Sequence, residues 1–69
     1  MDVKDAEVRA VVTDIVAAAG LNVVFEDGVK GKVTVKFDKA PWKDALYMVL
    51  RSKNLVQERK GNIIFIRRG

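Results

Sequence analysis

Apolar residues recur along the chain with two different periods, which separate helices from strands. From Ala6 to Ala19 the spacing is helical, and one stripe of an amphipathic helix is formed by Val8, Val11, Val12, Ile15, Val16 and Ala19. Asp5 is placed to cap this helix, and Gly20 is placed to end it. Because β-branched residues lower intrinsic helicity, we expect the helix to depend on tertiary packing.

A second helix is indicated by Pro41, a residue favoured in the first helical turn. The same stripe is then repeated by Trp42, Ala45, Leu46, Val49 and Leu50. Asn54 follows the stripe and is expected to adopt the left-handed conformation that ends a helix.

Elsewhere the period is two, which predicts strands. The predicted strands run over residues 2–4, 21–26, 32–38, 55–59 and 63–67. A glycine-containing loop joins the second strand to the third, and the turn Lys60-Gly61-Asn62 makes a hairpin of the last two.

The order β-α-β-β-α-β-β predicts an α+β sandwich, with two helices between a three-stranded and a two-stranded sheet. We expect the first three strands to form one sheet, with Val3 beside Val23, and the C-terminal hairpin to form the other. The aromatic residues Phe25, Phe37, Phe65 and Trp42 are predicted to lie in the core.

Composition narrows the chemistry of this single 69-residue domain. The chain has no Cys and no His, so thiol nucleophiles, imidazole acid-base catalysis and the usual zinc sites are excluded. The side-chain hydroxyls of Thr13, Thr34, Tyr47 and Ser52 have no activating partner beyond a lysine. We therefore predict no enzyme activity, no metal site, no cofactor and no small-molecule substrate.

The net charge of +4 is unevenly distributed. Residues 1–28 carry two basic and six acidic side chains, a net charge of −4, whereas residues 29–69 carry eleven basic and three acidic ones, a net charge of +8. Such asymmetry allows nucleic-acid binding as a remote alternative, whereas solvated surface charge is the simpler explanation. Gly28 and Gly31 make a GxxG sequence between two strands, where a turn accounts for both, and we predict no nucleic-acid partner.

A family resemblance is carried by five segments in a fixed order. They are Asp5-Ala6-Glu7-Val8-Arg9, residues 19–24, residues 29–35, Ala40-Pro41-Trp42-Lys43-Asp44-Ala45-Leu46, and Gly61-Asn62-Ile63-Ile64. In these segments the chain resembles the secretin and TonB N-terminal short domain, and it is most similar to secretins of type IV pilus or type II secretion machines.

This resemblance implies a periplasmic domain of an outer-membrane protein that docks onto other proteins. The implied partners are inner-membrane secretion or pilus assembly proteins, together with further copies of the same subunit in a multimeric channel. The alternative implied by the resemblance is the signalling domain of a TonB-dependent transducer. In either case the chain is expected to be one piece of a longer protein.

Docking of this kind can use the free edge of a small sheet, which accepts a partner strand through main-chain hydrogen bonds. Two strands are the candidates, and the residues predicted to contact a partner are Lys32, Thr34 and Lys36 on the strand Lys32–Asp38 and Ile64, Ile66 and Arg68 on the strand Ile63–Arg68. Lysines on an edge also protect it from aggregation, so protection and partner recognition both remain open.

Overall fold

The computed structural model describes residues 1–69 and contains five strands and two helices. In chain order the elements are β1 (Asp2–Glu7), α1 (Val8–Ala18), β2 (Asn22–Phe25), β3 (Lys32–Lys36), α2 (Trp42–Ser52), β4 (Leu55–Lys60) and β5 (Ile63–Arg68). The predicted α+β class and the element order are confirmed. Neither helix has the length and apolar content needed to cross a bilayer.

The start of α1 differs from the prediction, because Asp5 does not cap it. Asp5 lies inside β1, and the helix begins directly after Glu7, whose side chain makes no capping hydrogen bond. Gly31, the residue before β3, supplies the cap instead, since the N–H of Val8 donates to its carbonyl oxygen at 2.9 Å. One of the unpaired N–H groups of the first turn is thereby satisfied by the residue that leads into β3.

Both helix ends confirm the predicted stop residues. After α1, Gly20 has a φ of 77°, its N–H donates to Ala17, and the N–H of Leu21 donates to Val16. This pair of bonds is the Schellman motif, which requires the left-handed residue that glycine supplies. After α2, Asn54 takes the same region with a φ of 55°. Pro41 precedes the first residue of α2 and its carbonyl oxygen accepts the first helical bond, from Ala45.

The predicted hairpin of the last two strands is confirmed, but the predicted sheet of the first three strands is wrong. β1 pairs with β3 in an antiparallel two-stranded sheet that places Val3 opposite Val35, whereas the three-stranded sheet has the order β2-β5-β4. β5 runs parallel to β2 and antiparallel to β4. The central position belongs to β5, the strand with the apolar sequence Ile63-Ile64-Phe65-Ile66, because a strand paired on both sides has the least contact with water.

The core lies between the two sheets and is formed around the helices. All fourteen buried residues are hydrophobic, and they are Val8, Val11, Val12, Ile15, Val16, Val29, Val33, Ala45, Leu46, Val49, Leu50, Leu55, Ile64 and Ile66. α1 packs against β1 and β2, whereas α2 packs against β3 and β4. Each helix is therefore covered by one strand of each sheet.

One predicted core aromatic residue lies on the surface. Phe25, Phe37 and Trp42 are half-buried against the core, but Phe65 is on the outer face of the three-stranded sheet and is 36% exposed. Its neighbours in the sequence, Ile64 and Ile66, occupy the inner face instead. The alternation of a strand allows only one of the two sets to face inward, and the two isoleucines fill the core.

Leu46 is fully buried, whereas Met48 on the same helix is 45% exposed. We expect Leu46→Ala to lower the free energy of unfolding by about 2–5 kcal/mol, because it leaves a cavity among packed side chains. Met48→Ala is the matched control and should change it by no more than about 0.5 kcal/mol. Urea unfolding followed by circular dichroism measures both values, and equal losses would contradict this assignment of the core.

Candidate protein-binding edges

Two small sheets leave four strands with one unpaired side. These are β1 and β3 in the two-stranded sheet and β2 and β4 in the three-stranded sheet. The unpaired N–H and C=O groups of such strands are the features that a partner strand can use.

The predicted docking residues of the last strand do not lie at an edge. β5 pairs on both sides, and Ile64 and Ile66 are 0% and 1% exposed. The N–H of Arg68 donates to Oε1 of Glu26 at 3.4 Å, beyond the end of β2. The prediction took the C-terminal hairpin as a separate sheet, and the parallel pairing with β2 removes the edge that it assumed.

The other three predicted residues, Lys32, Thr34 and Lys36, lie together on β3, and all are exposed. Phe37 exchanges two hydrogen bonds with Met1, at 2.7 and 2.9 Å. Because hydrogen-bonded positions alternate along an antiparallel pair, the N–H and C=O groups of Val35 and Val33 also point toward β1. The backbone groups of Lys32, Thr34 and Lys36 therefore point to the free side of β3.

The lysine side chains also have a role within the sheet. Lys36 lies opposite Asp2, and Lys32 lies opposite Glu7. Opposite charges at directly facing positions of an antiparallel pair stabilise it by about 0.2–1 kcal/mol. These lysines thus lie opposite carboxylates within the two-stranded sheet, whereas the backbone groups at the edge of β3 stay unpaired.

β1, the second strand of this sheet, is irregular. The register shifts between Val3 and Ala6, and Asp5 has a φ of 53°. This shift is a β-bulge. The hydroxyl of Thr34 accepts a hydrogen bond from the N–H of Asp5 at 2.9 Å, so the side chain of Thr34 stabilises the bulge. A β-bulge twists an edge strand, so that another strand pairs with it less easily. β3 is therefore the more regular of the two free edges of this sheet.

A groove that was not predicted from the sequence lies between α2 and β4. Its volume is about 640 Å³, and it is lined by Tyr47, Leu50, Arg51, Asn54, Leu55, Val56, Gln57 and Gly69. The helical stripe places Leu50 in the core and Tyr47 outside it, but only the packing of α2 against β4 brings this outer face beside a strand edge. No local sequence signal marks such an arrangement.

No group of three acidic side chains comes close enough to hold a metal ion. The arrangement provides main-chain donors and acceptors, exposed apolar surface and positive charge, which are the means of protein recognition.

Comparison with known protein families gives a match. The model of the secretin and TonB N terminus short domain family matches residues 21–69. This segment extends from just before β2 to the end of β5 and includes β3 and the groove between α2 and β4.

Known proteins resemble the chain over nearly its whole length. The type IV pilus biogenesis and competence protein PilQ of Neisseria meningitidis is 35% identical over 66 residues, which are 96% of this chain and 9% of that protein. The type IV competence pilus secretin PilQ of V. cholerae, solved by electron cryomicroscopy, is 34% identical with a TM-score of 0.84, over 99% of this chain and 16% of that one. The chain therefore spans only a small part of these relatives.

A third comparison concerns the fold alone. The N0 domain of the type II secretin from enterotoxigenic Escherichia coli superposes with a TM-score of 0.86 at 13% identity, over 100% of this chain and 91% of that domain. The α+β sandwich is thus retained where most of the sequence has changed.

The bulge can be tested through its hydrogen bond. Thr34→Val keeps the shape and the β-branching of the side chain but removes the acceptor of the Asp5 N–H. We expect the free energy of unfolding to fall by about 0.5–1.5 kcal/mol. Thr34→Ser keeps the hydroxyl and is the control, and the hydrogen-exchange rate of the Asp5 amide should rise only in Thr34→Val. Equal exchange rates in the two variants would rule out this role of Thr34.

Proposed function

The chain belongs to the secretin and TonB N terminus short domain family, and from this membership we propose that it is a periplasmic docking module of an outer-membrane secretin. The 35% identity with PilQ over 96% of the chain carries this proposal. The family name also covers transducers, and the similarity to pilus secretins at 34% and 35% identity favours the secretin alternative.

In this function the domain recognises inner-membrane proteins of a type IV pilus or type II secretion machine. Further copies of the subunit assemble with it in the full-length channel. A role in binding agrees with a surface that presents free strand edges.

The edge of β3 is the proposed point of contact. Its outward backbone groups at Lys32, Thr34 and Lys36 can pair with an added strand, which would extend the two-stranded sheet to three strands. A two-stranded sheet is only marginally stable by itself. A third strand would enlarge this sheet and cover more of α2, which already packs against β3. Affinity then comes from the main chain, and the lysines select acidic residues on the incoming strand.

A proline substitution tests this contact, since proline removes an N–H group. The N–H of Lys36 points away from β1, so Lys36→Pro leaves the existing ladder intact and removes a donor only from the free edge. We expect the Kd for the periplasmic fragment of an inner-membrane partner encoded beside this protein to rise at least about 10-fold. Calorimetry and NMR titration with labelled domain measure the change.

Two variants serve as controls. Arg59→Pro makes the same change at the free edge of β4 and should leave this Kd unaltered, and Lys36→Ala separates loss of the charge from loss of the N–H group. If Lys36→Pro folds normally and binds every such fragment as the unaltered chain does, docking through β3 is wrong.

A further inference from the structure

The groove between α2 and β4 combines a cleft with a free strand edge. Beside it, the last turn of α2 and the start of β4 are joined by only Lys53 and Asn54, so the helix and the strand separate from a common corner. The cleft that opens there has a volume of about 640 Å³. This volume lies within the range of clefts that bind drug-sized ligands.

Unpaired backbone groups line one side of this groove. β4 pairs only with β5, and the N–H of Gly69 donates to the carbonyl oxygen of Asn54 at 3.0 Å. Hydrogen-bonded and non-hydrogen-bonded residues alternate along an antiparallel strand pair, and Asn54 is hydrogen-bonded. The N–H and C=O groups of Val56, Glu58 and Lys60 therefore also point toward β5. The N–H and C=O groups of Leu55 and Gln57 therefore point outward along the groove.

The opposite wall is formed by Tyr47, Leu50 and Arg51 of α2. Leu50 and Leu55 are buried beneath the groove, whereas Tyr47 is 56% exposed. A strand added to β4 would place every second side chain over α2, since side chains alternate between the faces of a sheet. An apolar side chain at such a position would cover Tyr47 and remove exposed apolar area from water.

Positive charge lies at the same place. Arg51 donates one hydrogen bond to the hydroxyl of Tyr47 at 3.3 Å, and its guanidinium lies 6.0 Å from the centre of the Tyr47 ring. A guanidinium has five N–H donors, so most of the N–H groups of Arg51 remain free to bind a carboxylate. Farther along β4, Arg59 and Lys60 outnumber Glu58, and the edge as a whole is basic.

From these features we propose that the groove binds an extended acidic peptide segment of another protein as a fourth strand beside β4. The main chain of the segment pairs with Leu55 and Gln57, an apolar side chain lies between Tyr47 and Leu50, and a carboxylate two residues further along contacts Arg51. This site belongs to the three-stranded sheet, whereas the proposed contact at β3 belongs to the other sheet. The two sites lie on either side of α2, and neither depends on the other.

A synthetic peptide tests the site directly. The probe is acetyl-TVTLTET-amide, whose valine, leucine and glutamate share one face of an extended chain. Titrated into labelled domain, it should shift the amide resonances of Leu55, Gln57 and Arg59 together with those of Tyr47 and Arg51. The hydrogen exchange of the Gln57 amide should slow at the same time, because only an added strand gives that group an acceptor.

Substitutions in both molecules separate the contributions. Arg51→Glu, and replacement of the glutamate of the probe by lysine, should each weaken binding at least about 10-fold. Gln57→Pro should weaken it similarly by removing an outward N–H, while Lys36→Pro should have no effect on it. The surface variant Tyr47→Ala keeps the test valid if Gln57→Pro fails to fold, and its expected loss of affinity is also at least about 10-fold.

Three results would overturn the proposal. The first is an absence of shifts at about 1 mM probe, a concentration at which even weak specific binding is visible. The second is unaltered affinity of Arg51→Glu and Tyr47→Ala. The third is the same set of shifts on raising the concentration of the domain alone, which would assign the groove to a second copy. The partner assay with Lys36→Pro tests only the β3 edge, and the peptide titration tests only the groove. A negative peptide titration therefore leaves the proposed function intact, and a negative partner assay leaves the groove site intact.

Discussion

The pairing of β5 on both sides is the constraint on which the rest of the structure depends. It joins β2 to the far end of the chain, as shown by the 2.8 Å bond from the N–H of Asn22 to the carbonyl oxygen of Asn62. It also turns Ile64 and Ile66 into the core, where they meet both helical stripes in one cluster. With β5 central, β2 and β4 are the edges of its sheet, and β1 pairs with β3 in a separate sheet.

The small size of the chain explains why edges remain at all. Two sheets of two and three strands are enough to cover two helices of eleven residues each, but they are too small to close on themselves. The two-stranded sheet is secured by contacts outside its own ladder. The N–H of Val8 at the start of α1 reaches Gly31, and Thr34 holds the bulge at Asp5. β3 is thereby held in place while one of its sides stays free.

Local patterns predicted the elements, and contacts distant in sequence decided what the patterns could not. The helical stripes, Gly20, Asn54 and the turn at Gly61 are properties of neighbouring residues, and each was found from the sequence. Periodicity shows which face of a strand is apolar, but it does not identify the partner strand. The error at β5, which made Ile64, Ile66 and Arg68 an edge, and the error at Phe65 have this common cause. Asp5 looked like a cap because the sequence does not reveal that β1 continues to Glu7.

The acidic and the basic parts of the chain form different elements of the fold. Residues 1–28 supply β1, α1 and β2, whereas the more basic remainder supplies β3, α2, β4 and β5. Because α2 packs against both β3 and β4, the free edges of these two strands flank one helix, and all three elements belong to the basic part of the chain. Main-chain pairing alone does not discriminate among extended segments, and lysine and arginine side chains beside an edge disfavour basic segments and favour acidic ones. Positive charge at a sheet edge thus both limits unspecific strand addition and selects the chemistry of the strand that is admitted.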